Sequence, residues 1–322
     1  MKMFIEKFWI YKFLTVLLCT GVFAQSGTDV IENAPIKSIE YSKDSIIGSI
    51  QRIEGFPSRF VRPRNVDIWL PEGYSKDKKY AVLYMHDGQM LFDSESTWNK
   101  QEWGVDETLN DLIKEDAIKP TIVVGIWHHS DIRMTDYFPQ KPFKYINVKD
   151  LDQKEKEFKD SIESDNYLKF IVEELKPYVD THFSTLTDVA NTFIGGSSMG
   201  GLISMYAICE YPKVFSGAIC MSTHWIGLGN PDTKYANAFY AYLEENLPSS
   251  DGHRFYFDYG TETLDKEYIP HQEGLDRTFY MSGFQDIGYV NRRYDGHDHS
   301  EASWRKRLDV PIRFLLGKTQ KK

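Results

Sequence analysis

Five short, mostly apolar runs rich in β-branched and aromatic residues punctuate the chain: AVLYMH (81–86), TIVVGI (121–126), TFIGG (192–196), GAICMS (217–222) and RFYFDYG (254–260). Continuous runs of this length are the signature of strands buried on both faces of a parallel sheet. Between the second and third lies YLKFIVEELKPYVDTHF, in which Leu168, Ile171, Val172, Leu175 and Val179 recur at helical spacing. Two further runs, GSIQRIEGF and NVDIWLP, alternate with period two and are separated by a short connection, predicting an antiparallel pair at one edge. YVNRRY (289–294) reads as a last strand and EASWRKRL (301–308) as a last helix, with Ser300 as N-cap and Glu301 in the first turn. The expected fold is α/β: a mainly parallel central sheet, helices on both faces and an antiparallel N-terminal edge.

Residues 141–165 depart from this pattern. They include NVKDLDQKEKEFKDSIESD, dense in charge and poor in apolar positions, and read as an exposed insertion with a solvated helix. A lid over a site is the sharper alternative. The first residues depart too. Lys2, Lys7 and Lys12 precede a short apolar run, Phe13 to Val22, and then Val22-Phe23-Ala24. This is the layout of a secretory signal peptide over residues 1–24, too short for a membrane span. It leaves 25–322 as a single domain that is secreted or periplasmic, with no membrane association after cleavage.

The formal charge of −9 deepens by two once a leader with three lysines and one glutamate is removed. Such an acidic chain gains nothing from releasing the counterions of a polyanion, which argues against a nucleic-acid partner. Cys209 and Cys220 sit on an apolar helix and an apolar strand and read as core residues rather than a disulfide. No Cys/His spacing resembles a metal site.

The candidate chemistry lies in FIGGSSMGGLISMYAI (193–208). The segment fails the dinucleotide fingerprint at its third position, and Gly201 stands where a phosphate loop needs lysine. It does fit G-x-S-x-G, centred on Ser198 and not on Ser197, between a strand and a helix. On such an elbow, strand and helix backbones crowd together, so glycine is favoured on either side of the nucleophile. The Met199 N–H then opens the helix as a donor for an oxyanion. The second donor is expected from the turn after AVLYMH, at the N–H of Gln89 or of Gly88.

A serine hydroxyl needs a base, and on this kind of sheet the chain order is Ser, then Asp or Glu, then His. GYVNRRYDGHDHSEASWRKRL places His297 and His299 in the loop between the last strand and the last helix. Two residues apart, they cannot be separated by pattern alone. His224 is out of order for a base and reads as a pocket residue or a satisfied buried group. Glu262 and Asp265, just past the strand 254–260, are the acid candidates, whereas Asp258 lies inside the strand and reads as structural.

With these residues placed, the sequence resembles the esterase family of α/β-hydrolases, which includes feruloyl and acetylxylan esterases, S-formylglutathione hydrolases and enterochelin-type siderophore esterases. NVDIWLPEGY, LYMHDGQMLFD, WGVDETL, IVVGI, GGSSMGGL and HSEASWRKRL carry the resemblance through most of the chain after the leader. It implies Ser198 as nucleophile, His299 as base with His297 as alternate, and Asp265 as acid with Glu262 as alternate. It further implies that no metal or organic cofactor is needed and that the partner is a small-molecule or polysaccharide ester.

The chain is 15% aromatic, and Trp98, Trp103, Trp127, Tyr137, Phe138 and Trp225 fall in expected loops, where flat faces suit sugars or phenolic acyl groups. Trp103, Arg133, His224 and Trp225 are the substrate-contact candidates, with a surface ion pair as the plainer role for Arg133. Export favours an acylated polysaccharide and argues against intracellular S-formylglutathione. The alternatives are a siderophore trilactone esterase and, in a different class, a hydrolase-like module that only binds carbohydrate or a partner. The second would carry a broken catalytic set, whereas here serine, acid and histidine stand in order. The sequence leaves the oligomeric state open.

Overall fold

Buried apolar runs become the centre of the sheet. A computed structural model describes residues 36–228, 233–284 and 287–318; the leader expected over 1–24 lies outside them. The strands are β1 (Ser38–Tyr41), β2 (Ser49–Phe56), β3 (Arg64–Leu70), β4 (Ala81–His86), β5 (Thr121–Ile126), β6 (Thr192–Ser197), β7 (Gly217–Met221), β8 (Arg254–Gly260) and β9 (Tyr289–Tyr294). Among the described residues they form one sheet in the order β1-β2-β3-β5-β4-β6-β7-β8-β9. From β5 to β9 every pairing is parallel, and β1, β2 and β3 extend the β5 edge antiparallel. The expected architecture is therefore the observed one. Strand β1 was not foreseen: its SIEY alternates over only four residues and is almost wholly exposed, too short a pattern to mark a strand.

Every residue of β4, β5, β6 and β7 is buried, because both faces are covered. The helix Met199–Glu210 is apolar on all sides and buried over all but its last residue, as a helix packed centrally against the sheet must be. On the opposite face, Leu109 and Leu112 from the helix Val105–Lys114 meet Ile312, Leu315 and Leu316 from the helix Asp309–Leu316. The periodic segment is helical from Ser164 to His182. It passes through a π-helical stretch, Phe170–Leu175, just ahead of Pro177, whose missing N–H cannot sustain the regular ladder.

Two expectations need correction. Segment 141–165 does hold a solvated helix, Gln153–Asp160, closed by a capping box between Asp152 and Glu155. It is pinned to the body all the same, since Phe143, Ile146, Leu151 and Ile162 are buried in the main core. Few apolar residues at the right points suffice to anchor it. Tyr137 and Phe138 are not loop residues offered to a ligand. Tyr137 ends the helix Arg133–Tyr137, and both rings are buried. Cys209 and Cys220 are buried free thiols.

The chain leaves β4 towards β5 on one side and returns to β6 on the other. The carboxyl ends of β4 and β6 thus flank a topological switch point, where open α/β sheets form their crevice.

Candidate active site

Strand β6 runs out at Ser197, and the next residue turns sharply. Ser198 has φ 56° and ψ −121°, a conformation disfavoured for a residue with a Cβ, and the helix begins at Met199. The neighbouring backbone holds it there. The Ser198 N–H donates to the Met221 carbonyl at 2.9 Å, while the Ser198 carbonyl accepts from Leu202 at 3.1 Å and from His224 at 3.2 Å. The flanking glycines are required by contact. A Cβ on Gly196 would lie 3.0 Å from the carbonyl carbon of Gly200, and one on Gly200 would lie 3.2 Å from the His86 Cβ. The Met199 N–H, in the first helical turn, has no intrahelical acceptor.

Past the ends of β8 and β9, the acid and base candidates sort themselves. His299 Nδ1 lies 2.5 Å from Asp265 Oδ1. A carboxylate can only accept, so Nδ1 carries the proton and Nε2 is left as the basic nitrogen. The ring stands edge-on to Trp304 and to Tyr268, with centroids 5.0 Å and 5.8 Å away. Asp265 is fully buried, and its second oxygen accepts from Ser222 Oγ and the Gly260 N–H, each at 2.6 Å. Burial alone would raise its carboxyl. The bond and charge of His299, with the Ser222 and Gly260 donors, outweigh burial and hold it below the usual carboxylate range.

The alternates are occupied elsewhere. Glu262 is exposed, and its carbonyl receives the Asp265 N–H. His297 Nδ1 faces Arg307 Nη1 at 3.1 Å, and its carbonyl accepts the N–H groups of Thr261 and Glu262. Arg307 also forms a buried ion pair with Asp258, which gives that strand residue a structural partner.

After β4, Asp87 adopts a left-handed conformation and a short 3₁₀ turn, Gly88–Met90, follows. Gly88 packs against β5, where a Cβ would meet the Gly125 carbonyl carbon at 2.5 Å. Asp87 takes a bidentate pair from Arg133 at 2.8 and 2.7 Å and a bond from His128 Nδ1 at 2.7 Å. Burial would raise this carboxyl as well, but the Arg133 charge and the donors hold it far below its ordinary value. The Gln89 amide N–H donates to His128 Nε2 at 3.1 Å and its carbonyl oxygen accepts the His128 backbone N–H at 3.2 Å, so the turn is braced from two sides.

Ser198 and His299 open into one cleft of about 470 Å³, also lined by Asp87, Trp98, Trp103, Arg133, Glu301 and Trp304. Of the proposed contacts, Trp103 and Arg133 reach this cleft; His224 and Trp225 do not line it. Trp225 is 0% exposed and packs on Phe239, Tyr240 and Phe257, so it has no surface to offer a substrate. His224 donates from Nε2 to the Gly227 carbonyl at 2.7 Å and receives the Tyr268 hydroxyl on Nδ1 at 2.9 Å. Burial pushes it down to about 4, which keeps it neutral. Residues 141–165 contribute nothing to the lining.

Sequence reasoning missed Asp87, His128, Ser222, Tyr268 and Trp304. Asp87, next to the glycine of the turn after β4, and Trp304, inside HSEASWRKRL, carried a local signal; the others carried none. A carboxylate cluster absent from any spacing rule also assembles, Glu102, Asp106 and Glu107, with Arg305 set against the two glutamates.

The family model described as "Putative esterase" matches residues 58–315. The chain is 25% identical over 285 residues to an "Endo-1,4-beta-xylanase/feruloyl esterase" of Xylanibacter ruminicola, covering 86% of this chain but 32% of that protein. It spans less than two-thirds of the length of each of the first curated relatives it matches. Among solved structures, an IroE-like serine hydrolase of Shewanella oneidensis superposes with TM-score 0.62 at 21% identity, covering 83% of this chain and 80% of that one. The enterochelin esterase of Shigella flexneri superposes with TM-score 0.61 at 17% identity, covering 83% and 57%. Both likenesses establish the α/β-hydrolase fold, and the family match extends over most of the chain: this protein belongs to the esterase family.

Proposed function

We propose that this chain is an exported serine esterase that hydrolyses carboxylic esters of acylated carbohydrate, feruloyl or acetyl, with Ser198 as nucleophile, His299 as base and Asp265 as acid. The observation that carries the reading is the His299–Asp265 bond of 2.5 Å at a cleft shared with a serine held at φ 56°. In the first step Ser198 Oγ attacks the ester carbonyl and its proton passes to His299 Nε2. The Nδ1–H bond to Asp265 fixes the tautomer and stabilises the imidazolium. The N–H groups of Met199 and Gln89 receive the oxyanion, each donor being worth ~10²–10³ in rate. As the tetrahedral species collapses, the imidazolium gives its proton to the departing alcohol. Water, deprotonated by His299, then attacks the acyl-enzyme and releases the acid.

Carbohydrate is favoured over an iron–siderophore by the charge of the cleft. Arg133 is the cation that could receive a catecholate, but Asp87 already takes both of its paired donors, and Glu301 adds a negative group to the wall. An anionic ligand meets no free positive charge among these lining groups, whereas a neutral sugar ester meets the Trp98 face, 85% exposed at the same cleft. Export rests on the leader pattern at residues 1–24, and the carbohydrate ester is supported by a relative whose name joins xylanase to feruloyl esterase. Among the described residues no helix is long and apolar enough to cross a membrane.

The test is hydrolysis of p-nitrophenyl acetate, a feruloylated arabinoxylan oligosaccharide and a catecholate trilactone by the purified enzyme and by Ser198→Ala. Release of ferulate or acetate by the parent and a loss of ~10⁴-fold or more in the variant are expected. Activity of Ser198→Ala near the parent's removes the nucleophile assignment. Turnover of the trilactone alone transfers the enzyme to the siderophore class.

A further inference from the structure

Behind the acid, at the end of β7, sits a serine that no motif marks. Ser222 is 0% exposed and has φ 44°, a left-handed conformation uncommon for a residue with a side chain. Its backbone N–H donates to the Asp258 carbonyl at 2.8 Å. Its hydroxyl has three neighbours: Asp265 Oδ2 at 2.6 Å, Trp304 Nε1 at 3.0 Å and Arg307 Nη2 at 3.0 Å.

The direction of these bonds follows from the donor inventory. An indole N–H and a guanidinium can only donate, so both lone pairs of the hydroxyl are taken. Its one proton is left for Asp265, which can only accept. The hydroxyl therefore cannot rotate away without breaking at least one buried bond. The two donors that fix it come from the segment directly after His299, since Trp304 lies on the helix Glu301–Arg305 and Arg307 follows it. Trp304 also stands edge-on to the His299 ring. One hydroxyl thus links the carboxylate that orients the histidine to the helix that carries the histidine's loop.

We infer that Ser222 is a positioning residue for the acid–base pair, its proton fixing the rotamer of Asp265 and its lone pairs holding the His299 segment in register. The inference rests on the serine-esterase reading above. The charged and titratable groups facing the Asp265–His299 pair include Asp258, Arg307, Tyr268 and His224, and Arg307 keeps its pair with Asp258 when the hydroxyl is removed. Without the Ser222 donor, the Asp265 carboxylate is less stabilised and more basic. It then draws on the Nδ1–H of His299 more strongly.

The experiment uses Ser222→Gly, which accepts the left-handed backbone without strain, beside Ser222→Ala, which retains the Cβ. Both are assayed on p-nitrophenyl acetate across pH, with melting temperature recorded in parallel. In both variants kcat/KM is expected to fall about tenfold, carried by kcat with KM within about twofold, the loss of one charge-assisted bond. The acid limb of the kcat/KM profile is expected to move to higher pH. Parent-like kinetics in Ser222→Gly overturn the inference. So does a lower melting temperature with the acid limb unmoved, which reduces the hydroxyl to a structural contact. An inactive parent enzyme overturns the esterase reading, and this inference with it.

Discussion

The proposed nucleophile and acid–base pair lie at the same, carboxyl-terminal end of the sheet but are held by different means. Ser198 is placed by backbone: a sharp turn between β6 and its helix, two glycines in contact, and main-chain bonds to Met221, Leu202 and His224. His299 and Asp265, 34 residues apart in sequence, are placed by side chains from the end of β7 and from the segments that follow each of them: Ser222, Trp304 and Tyr268. Backbone placement tolerates no extra atom but asks little of residue identity further off. Side-chain placement tolerates a loop of variable course but depends on each hydrogen-bonding partner. A motif can record the first arrangement because the crowding that demands glycine falls between near neighbours in sequence, Gly196 and Gly200. It cannot record the second.

The comparison breaks most readily at the two late histidines. His299→Ala should lose ~10⁴-fold or more in kcat on p-nitrophenyl acetate, because the proton of Ser198 has no acceptor. His297→Ala should stay within about threefold in kcat and lower the melting temperature instead, since it removes one bond to Arg307, worth ~1 kcal/mol. Reversal of that order would move the base to His297 and undo the contrast.

A smaller effect sharpens the other half. Gly196→Ala places a methyl 3.0 Å from the Gly200 backbone, where nothing flexible can yield. A cost of about 1–3 kcal/mol in stability is expected from the overpacking, read as a lower denaturant midpoint, with kcat falling as Ser198 is displaced. A variant as stable and as active as the parent would show that the elbow is not held by contact.

The smallest effect concerns the cleft mouth. Trp98 is mostly exposed, while its neighbours Asn99 and Gln101 bond to Glu301 and Ala302 at the start of the last helix but one. Trp98→Ala should raise KM for a feruloylated oligosaccharide about three- to tenfold, with kcat within about twofold, as loss of one stacking face implies. An unchanged KM would place the sugar elsewhere.

The central strands, the elbow and the identity of its serine were all legible, because each rests on residues adjacent in sequence. Apolar continuity marks a strand covered on both faces, and glycine two positions either side of Ser198 marks a crowded turn. The edge strand β1 was not legible, because a strand paired on one side and exposed on its faces needs no apolar pattern. Trp225 was misjudged because its position after a strand says nothing about the rings of Phe239 and Tyr240 that fold over it.

By itself the sequence determined the order of chemistry along the chain: a serine on an elbow, carboxylates past a strand end, histidines in the last loop. Tertiary structure alone decided which carboxylate meets which histidine. Glu262 and Asp265, like His297 and His299, differ little in composition or spacing. They differ in direction, and direction is set by what packs from elsewhere: Arg307 faces His297, whereas Trp304 and Tyr268 flank His299 beside a buried Asp265. A periodic pattern reports whether a residue faces the core or the solvent. It does not report which neighbour awaits it there, because that is set by how the intervening chain folds back, over 10 residues for Arg307 at His297 and 34 for Asp265 at His299.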